Sequence, residues 1–193
     1  LLAGASSVTG VDVSEKALAH TNRIIKKFKP EKISKVNLHR TSLLSLPFES
    51  NTFDVVFCSG VLHHTRSPYD GFCELVRVLK PGGTILVGVY GAGGLMTSVL
   101  IPSARFFRKF IPVRLTEKFL DLFTNDPMKK YYVLDPMYTE YRYSYYPKQI
   151  LDWFNKNNLI NPQQTFRCDA SFYKYGPWMS GAGWVGYVAQ KAL

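Results

Sequence analysis

LPFESNTFDVVFCSGVLHHTRSPYDGFCELVRVLKPGGTILVGVY, residues 46–90, is the stretch that decides the fold. Phe53-Asp54-Val55-Val56-Phe57-Cys58 is a short, β-branched apolar run of the kind buried on both faces of a parallel sheet. Pro68 to Leu79 carries Phe72, Leu75, Val76 and Leu79 at helical spacing, with Glu74 and Arg77 turned elsewhere. Lys80-Pro81-Gly82-Gly83 stops that helix, because proline cannot continue it and glycine accepts positive φ. Thr84 to Tyr90 is a second β-branched run. The stretch is therefore one βαβ unit. Its loop, Ser59–Arg66, opens at the carboxyl end of a strand, where ligands bind in open α/β sheets.

Working outward, Val8–Val11 reads as a strand and Ser14 as the N-cap of a helix over Glu15–Phe28, with Pro30 just beyond its end. Lys35–His39 reads as the next strand. After Gly91-Ala92-Gly93-Gly94 the pattern becomes irregular, aromatic and mostly helical to about Tyr146. Pro147–Asn157 is an amphipathic helix, and Gln163–Cys168 and Trp184–Gln190 read as two closing strands. These elements predict one α/β domain over residues 1–193, doubly wound, with an insertion at 91–146.

A chain of 193 residues with 46% hydrophobic and 20% charged residues suits one globular domain and excludes a disordered chain. No apolar run approaches the roughly 20 residues of a membrane span. The first residues lack the basic start and apolar core of a signal peptide. Cys58, Cys73 and Cys168 have no metal-ligand spacing, so no metal site is expected, and buried free thiols fit a cytoplasmic protein. The net charge is +10, concentrated in Lys26, Lys27, Lys29, Lys32 and Lys35 and in Arg105, Arg108, Lys109 and Arg114. Cations suit a helix C-terminus, so the first cluster reads as a solvated helix end rather than a nucleic-acid surface.

Val8-Thr9-Gly10-Val11-Asp12-Val13-Ser14, Ser45-Leu46-Pro47-Phe48, Phe53-Asp54-Val55-Val56, Leu62-His63-His64 and Leu79-Lys80-Pro81-Gly82-Gly83 stand in one order over the first half of the chain. In wording and spacing they resemble the class I S-adenosylmethionine (SAM)-dependent methyltransferases. The closest likeness is to the small-molecule type that includes ubiquinone and menaquinone biosynthesis enzymes. The resemblance implies a Rossmann-like, mostly parallel sheet ending in an antiparallel hairpin, with the insertion as a lid and SAM as cofactor. It further implies a small or lipophilic methyl acceptor and no nucleic acid, since Cys58-Ser59-Gly60-Val61 lacks the Asn/Asp-Pro-Pro-aromatic signature of amino-methylating nucleic-acid enzymes.

Asp12, at a strand end, has the chemistry to accept hydrogen bonds from a ribose diol, and the alternative is an acid that merely leads a helix. By resemblance, Val13 stands beside it in the cofactor site. The family's adenine-binding Asp, five residues before the Leu-Pro-Phe proline, is here Ser42, a neutral and shorter group; the Leu43 amide remains as a donor to the ring. The resemblance also implies that backbone groups of Ser59 and Gly60 face the methionine part of SAM. His63 reads as structural, and His64 as a general base for an acceptor hydroxyl or amine, against packing under the next helix. Tyr131, Tyr132, Tyr138, Tyr141, Tyr143, Tyr145 and Tyr146 suit either an apolar acceptor pocket or internal packing of the insertion. Leu95–Leu115 mixes apolar and basic residues, as an amphipathic lid does and as a segment in peripheral contact with an anionic membrane does.

In doubly wound nucleotide-binding folds a glycine-rich loop lies about 20 residues before the second-strand acid. Eleven residues precede Asp12, and none forms Gly-x-Gly. The resemblance thus implies a sheet lacking its first, central strand, whose place lies between Val8–Val11 and Phe53–Cys58, and weak SAM binding by the chain as given. Two rivals remain at this stage. An NAD-dependent oxidoreductase explains Asp12 but not Leu46-Pro47-Phe48 or Leu79–Gly83, and a non-catalytic methyltransferase-like module explains the missing loop and Ser42.

Overall fold

The structure is a computed structural model that describes residues 4–167 and 183–193, without the side chains of 128, 129, 131–133, 166 and 167. Cys168 and the rings of Tyr131 and Tyr132 thus lie outside the described residues. Among the described residues six strands form two sheets. β1 (Val8–Asp12) pairs in parallel with β2 (Val36–Arg40), in the register Val8↔Val36 to Asp12↔Arg40. The second sheet has the order β3-β4-β6-β5, from β3 (Phe53–Ser59), β4 (Leu79–Tyr90), β5 (Leu159–Arg167) and β6 (Trp184–Lys191). β3 and β4 are parallel, whereas β4–β6 and β5–β6 are antiparallel, which supplies the expected closing hairpin. Among the described residues β1 and β3 each have a partner on one edge only.

Helix α1 (Glu15–Phe28) begins where Ser14 Oγ accepts the Ala17 amide at 3.3 Å, as its N-cap position requires. α2 (Pro68–Val78) joins β3 to β4 and buries Phe72, Leu75 and Val76. The insertion contributes a π-helical turn at Met96–Leu100, then α3 (Ile101–Phe107), α4 (Val113–Asp121) and α5 (Pro127–Tyr138). α6 (Pro147–Lys156) buries Ile150 and Phe154, and Phe154 stacks on Phe72 at 5.4 Å. The core therefore lies between one face of the four-stranded sheet (Val56, Cys58, Ile85, Val87, Val89, Val185, Tyr187 and Ala189) and helices α2 and α6. No helix among the described residues is long and apolar enough to cross a membrane.

Three expectations need correction. β3 is not buried on both faces: Val56 and Cys58 are buried while Val55 and Phe57 are 66% and 69% exposed. Strand side chains alternate, and only the face toward α2 is covered among the described residues. β4 starts at Leu79 rather than Thr84. Phe53 pairs with Leu79 and Val55 with Thr84, so one residue of β3, Asp54, faces four of β4, Lys80–Gly83, across a bulge. Gly82, at φ +73°, and Gly83 permit it, since a Cβ on Gly83 would lie 2.8 Å from the Lys80 carbonyl. Lys191 then ties the last strand to the end of α2, donating to Val76 O at 2.9 Å and Leu79 O at 2.7 Å. The predicted strand at Gln163 also starts earlier, at Leu159, with Asn161 at φ +53° in its irregular first half.

Candidate cofactor and acceptor site

β3 delivers Ser59 and Gly60 to the carboxyl end of the second sheet. Gly60 sits at φ +83° and donates its amide to Gly88 O at 3.0 Å. A Cβ at Gly60 would meet only Trp184, at 3.8 Å, so backbone conformation rather than crowding demands glycine. Ser59 Oγ lies 2.7 Å from where a Gly88 Cβ would stand, so the ends of β3 and β4 approach closely here.

The next turn, Leu62–His64, is 3₁₀-helical and buries Leu62 and His63. His63 Nδ1 accepts the Tyr90 amide at 3.2 Å, and its ring packs on Tyr90 with centroids 4.0 Å apart. Burial, then the neighbouring His64, push its pKa down to about 3, so the ring is neutral. This agrees with a structural His63.

His64 differs. Its Nδ1–H donates to Tyr141 O at 2.9 Å, and Nε2 faces Asp135 Oδ2 at 3.3 Å. Burial alone would lower its pKa, but the hydrogen bonds it donates to Asp135 and to the Tyr141 carbonyl outweigh it, and the net shift is upward. Asp135 Oδ2 also accepts the Tyr90 hydroxyl at 2.5 Å, and the Arg142 guanidinium lies 4.8 Å from the Tyr90 ring centre. The insertion is pinned beside them, because Tyr143 donates to His63 O at 3.0 Å and Tyr145 to Tyr90 O at 2.9 Å. His64, Asp135, Tyr90 and Arg142 thus form one polar cluster between the βαβ loop and the insertion. Asp135 is 71 residues from His64 in sequence, and no local pattern pointed to it.

The other predicted residues stand on the β1–β2 side. Asp12 Oδ1 accepts the Ser14 amide at 2.7 Å, so the helix-leading reading is correct for that oxygen. Among the described residues Oδ2 has no partner, and it is open to a ribose hydroxyl. Val13 is 65% exposed, and its carbonyl accepts Arg40 Nε at 3.3 Å. Ser42 is exposed, and its Oγ accepts the Leu44 amide at 3.2 Å, which leaves one lone pair for another donor. Leu43 is buried and anchors this loop in the core.

Glu74 and Arg77 of α2 fix the same loop. Glu74 Oε2 accepts the Leu46 amide at 3.0 Å; Arg77 donates to Phe48 O at 2.7 Å and Leu46 O at 3.0 Å, and pairs with Glu74 at 2.7 Å. The three-residue spacing of the pair was visible in the sequence, but not the loop it holds. Among the described residues no cluster of His, Cys, Asp or Glu is arranged to hold a metal ion.

Residues 1–87 match the family described as "Methyltransferase domain". Together with the relatives below, this match supports a class I S-adenosylmethionine-dependent methyltransferase. SAM is the cofactor that the match supports. A tRNA U34 carboxymethyltransferase from Pseudoalteromonas translucida (strain TAC 125) is 36% identical over 113 residues, covering 56% of this chain and 34% of its own. The chain spans about a third or less of the curated relatives it matches. Among solved structures, the Haemonchus contortus phosphoethanolamine N-methyltransferase 2, with phosphomonomethylethanolamine and S-adenosylhomocysteine, superposes with a TM-score of 0.60 at 21% identity, over 97% of this chain and 44% of that one. The [4+2]-cyclase SpnF gives 0.56 at 16%, over 97% and 67%. These two likenesses establish the fold, and the second shows that the fold alone does not fix the reaction.

Proposed function

We propose that this chain carries part of a SAM-dependent methyltransferase for a small or lipophilic acceptor. Asp12, Val13, Ser42, Leu43, Ser59 and Gly60 stand on the cofactor side, His64 on the acceptor side, and residues 91–146 form the lid of a single domain. The observation that carries the reading is the loop after β3, where a positive-φ glycine and a doubly held histidine sit together in a chain of this family. When bound, the cofactor supplies an electrophilic methyl group on a sulfonium. The protein's own work is alignment and proton handling. The Tyr141 carbonyl fixes the Nδ1–H of His64 and Nε2 faces Asp135, so the proton released by an acceptor hydroxyl or amine passes through the Asp135 carboxylate to Nε2. Asp135 holds the imidazolium that results. Cytoplasmic action belongs to the same reading, and a lipophilic acceptor would be met at a membrane surface.

Two measurements test this. Millimolar SAM or S-adenosylhomocysteine should raise the melting temperature by a few degrees while NAD does not, and Asp12→Asn should reduce the shift. A response to NAD alone, or to none of the three, overturns the cofactor assignment. An NMR titration should give His64 a pKa above its usual value, returning toward it in Asp135→Asn. An unchanged value in that variant removes Asp135 from the proton-handling role.

A second reading, an RNA acceptor, is favoured by the tRNA-directed name of a relative together with the charge of +10. The exclusion of nucleic acid drawn from sequence is therefore not retained. Binding of total tRNA with micromolar affinity, falling steeply with salt, supports that second reading.

A further inference from the structure

Residues 105–123 leave a broad apolar face uncovered. Phe110, Leu122 and Phe123 are 73%, 77% and 72% exposed. On α4, Leu115, Phe119 and Leu122 recur at helical spacing as one outward stripe, while Thr116 and Leu120 turn inward. Beside the stripe lies an open apolar cavity of about 710 Å³ walled by Ile111, Leu115, Phe119, Leu122 and Met137. So large an exposed apolar surface marks an interaction site.

Charge selects the partner. The segment carries Arg105, Arg108, Lys109, Arg114 and Lys118 against Glu117 and Asp121. Asp121 is paired with Lys130. Arg105 and Arg108 are turned inward, donating to carbonyls at the end of α5, including Pro136 O at 3.0 Å and Met137 O at 2.8 Å. Lys109, Arg114 and Lys118 are exposed, and none forms an ion pair among the described residues. Cations interleaved with outward phenylalanines and leucines suit a surface that is anionic outside and apolar beneath. A nucleic acid would neutralise the cations and leave the leucine stripe wet.

We propose that the α3–α4 face docks on an anionic lipid membrane, with Phe106, Phe110, Phe119 and Leu122 entering the interface and Lys109, Arg114 and Lys118 meeting the headgroups. The inference does not rest on the methyl-transfer reading, because it is read without any cofactor. Helix α5 stands between this face and the candidate site. Met137 lines the apolar cavity, and Asp135, two residues earlier, holds His64.

The test is co-sedimentation with phosphatidylcholine vesicles made with and without phosphatidylglycerol. The protein should sediment with the anionic vesicles and poorly with the neutral ones. Lys109→Glu/Arg114→Glu/Lys118→Glu should weaken binding by about a hundredfold or more. Phe110→Ser/Leu122→Ser should weaken it too, with an unchanged circular dichroism spectrum in both variants. No sedimentation with anionic vesicles, or sedimentation that the triple variant leaves intact, overturns the proposal. So does the absence of vesicle binding together with self-association lost in Phe110→Ser/Leu122→Ser, which assigns the face to a second copy. Retention of total tRNA, lost in the triple variant and without vesicle binding, overturns it in favour of RNA.

Discussion

His63 should make the fold acid-sensitive well above the range in which carboxylates protonate. Its ring is 1% exposed, accepts the Tyr90 amide on Nδ1, and has its pKa depressed to about 3. The unfolded chain binds a proton on this ring near pH 6.5 and the folded chain does not. A depressed folded pKa gives stability that is complete above the unfolded value and lost as pH falls below it. Each pH unit below about 6.5 then costs roughly 1.4 kcal/mol, so the loss between pH 7 and pH 5 is about 2 kcal/mol. Any folded value below about 4 gives the same loss at pH 5, because the native ring is neutral in either case. His63→Gln retains an acceptor for the Tyr90 amide and removes the titration. Urea unfolding of both proteins at pH 7, 6 and 5 isolates the difference, since His64 and the carboxylates are common to both. Wild type should lose about 2 kcal/mol more than His63→Gln across that range. Equal losses would refute the claim that His63 is held neutral by burial.

Two further predictions concern the loops that frame the site. Arg77→Ala removes the donors to Leu46 O and Phe48 O and strands Glu74; it should cost about 2–3 kcal/mol in urea unfolding and speed amide exchange over residues 42–48, whereas a cost below about 0.5 kcal/mol would mean the loop holds itself. Gly60→Ala should cost about 1–2 kcal/mol from the positive φ alone, and Gly60→Asn less, because Trp184 leaves room for a Cβ; equal costs for the two would point to crowding instead.

The fold was legible where sequence periodicity is local. Glu15–Phe28, Pro68–Val78 and the closing hairpin follow from apolar spacing, a serine cap and β-branched runs, and each stands within a few residues of its expected place. The start of β4 was misread because Lys80-Pro81-Gly82-Gly83 is both a helix stop and a bulge. Local propensity sees the stop, whereas only pairing with Phe53 reveals that the chain is already a strand. Exposure of Val55 and Phe57 was likewise beyond reach, because an apolar run states an appetite for burial and not which face is covered. The polar cluster was half legible. His64 announced itself by type and loop position, but Asp135 and the Tyr141 carbonyl reach it across more than seventy residues. Such partners are fixed by how the insertion folds back, and no spacing rule encodes that.

Asp12 shows why two sequence readings of one residue need not compete. VTGVDVS puts an acid between a strand and a helix, and either a helix N-terminus or a ribose would welcome it. A carboxylate has two oxygens and about four lone pairs. Here Oδ1 accepts the Ser14 amide at 2.7 Å, which fixes the plane of the group and its distance from the end of β1. The same bond keeps the carboxylate from rotating away, so Oδ2 is presented in one direction rather than many. On the proposed function, the structural role therefore prepares the binding role. Asp12→Asn would retain an oxygen for Ser14 and exchange the second acceptor for a donor. That is why it separates ligand binding from helix capping, and why a variant that lost stability but not cofactor response would reverse the assignment.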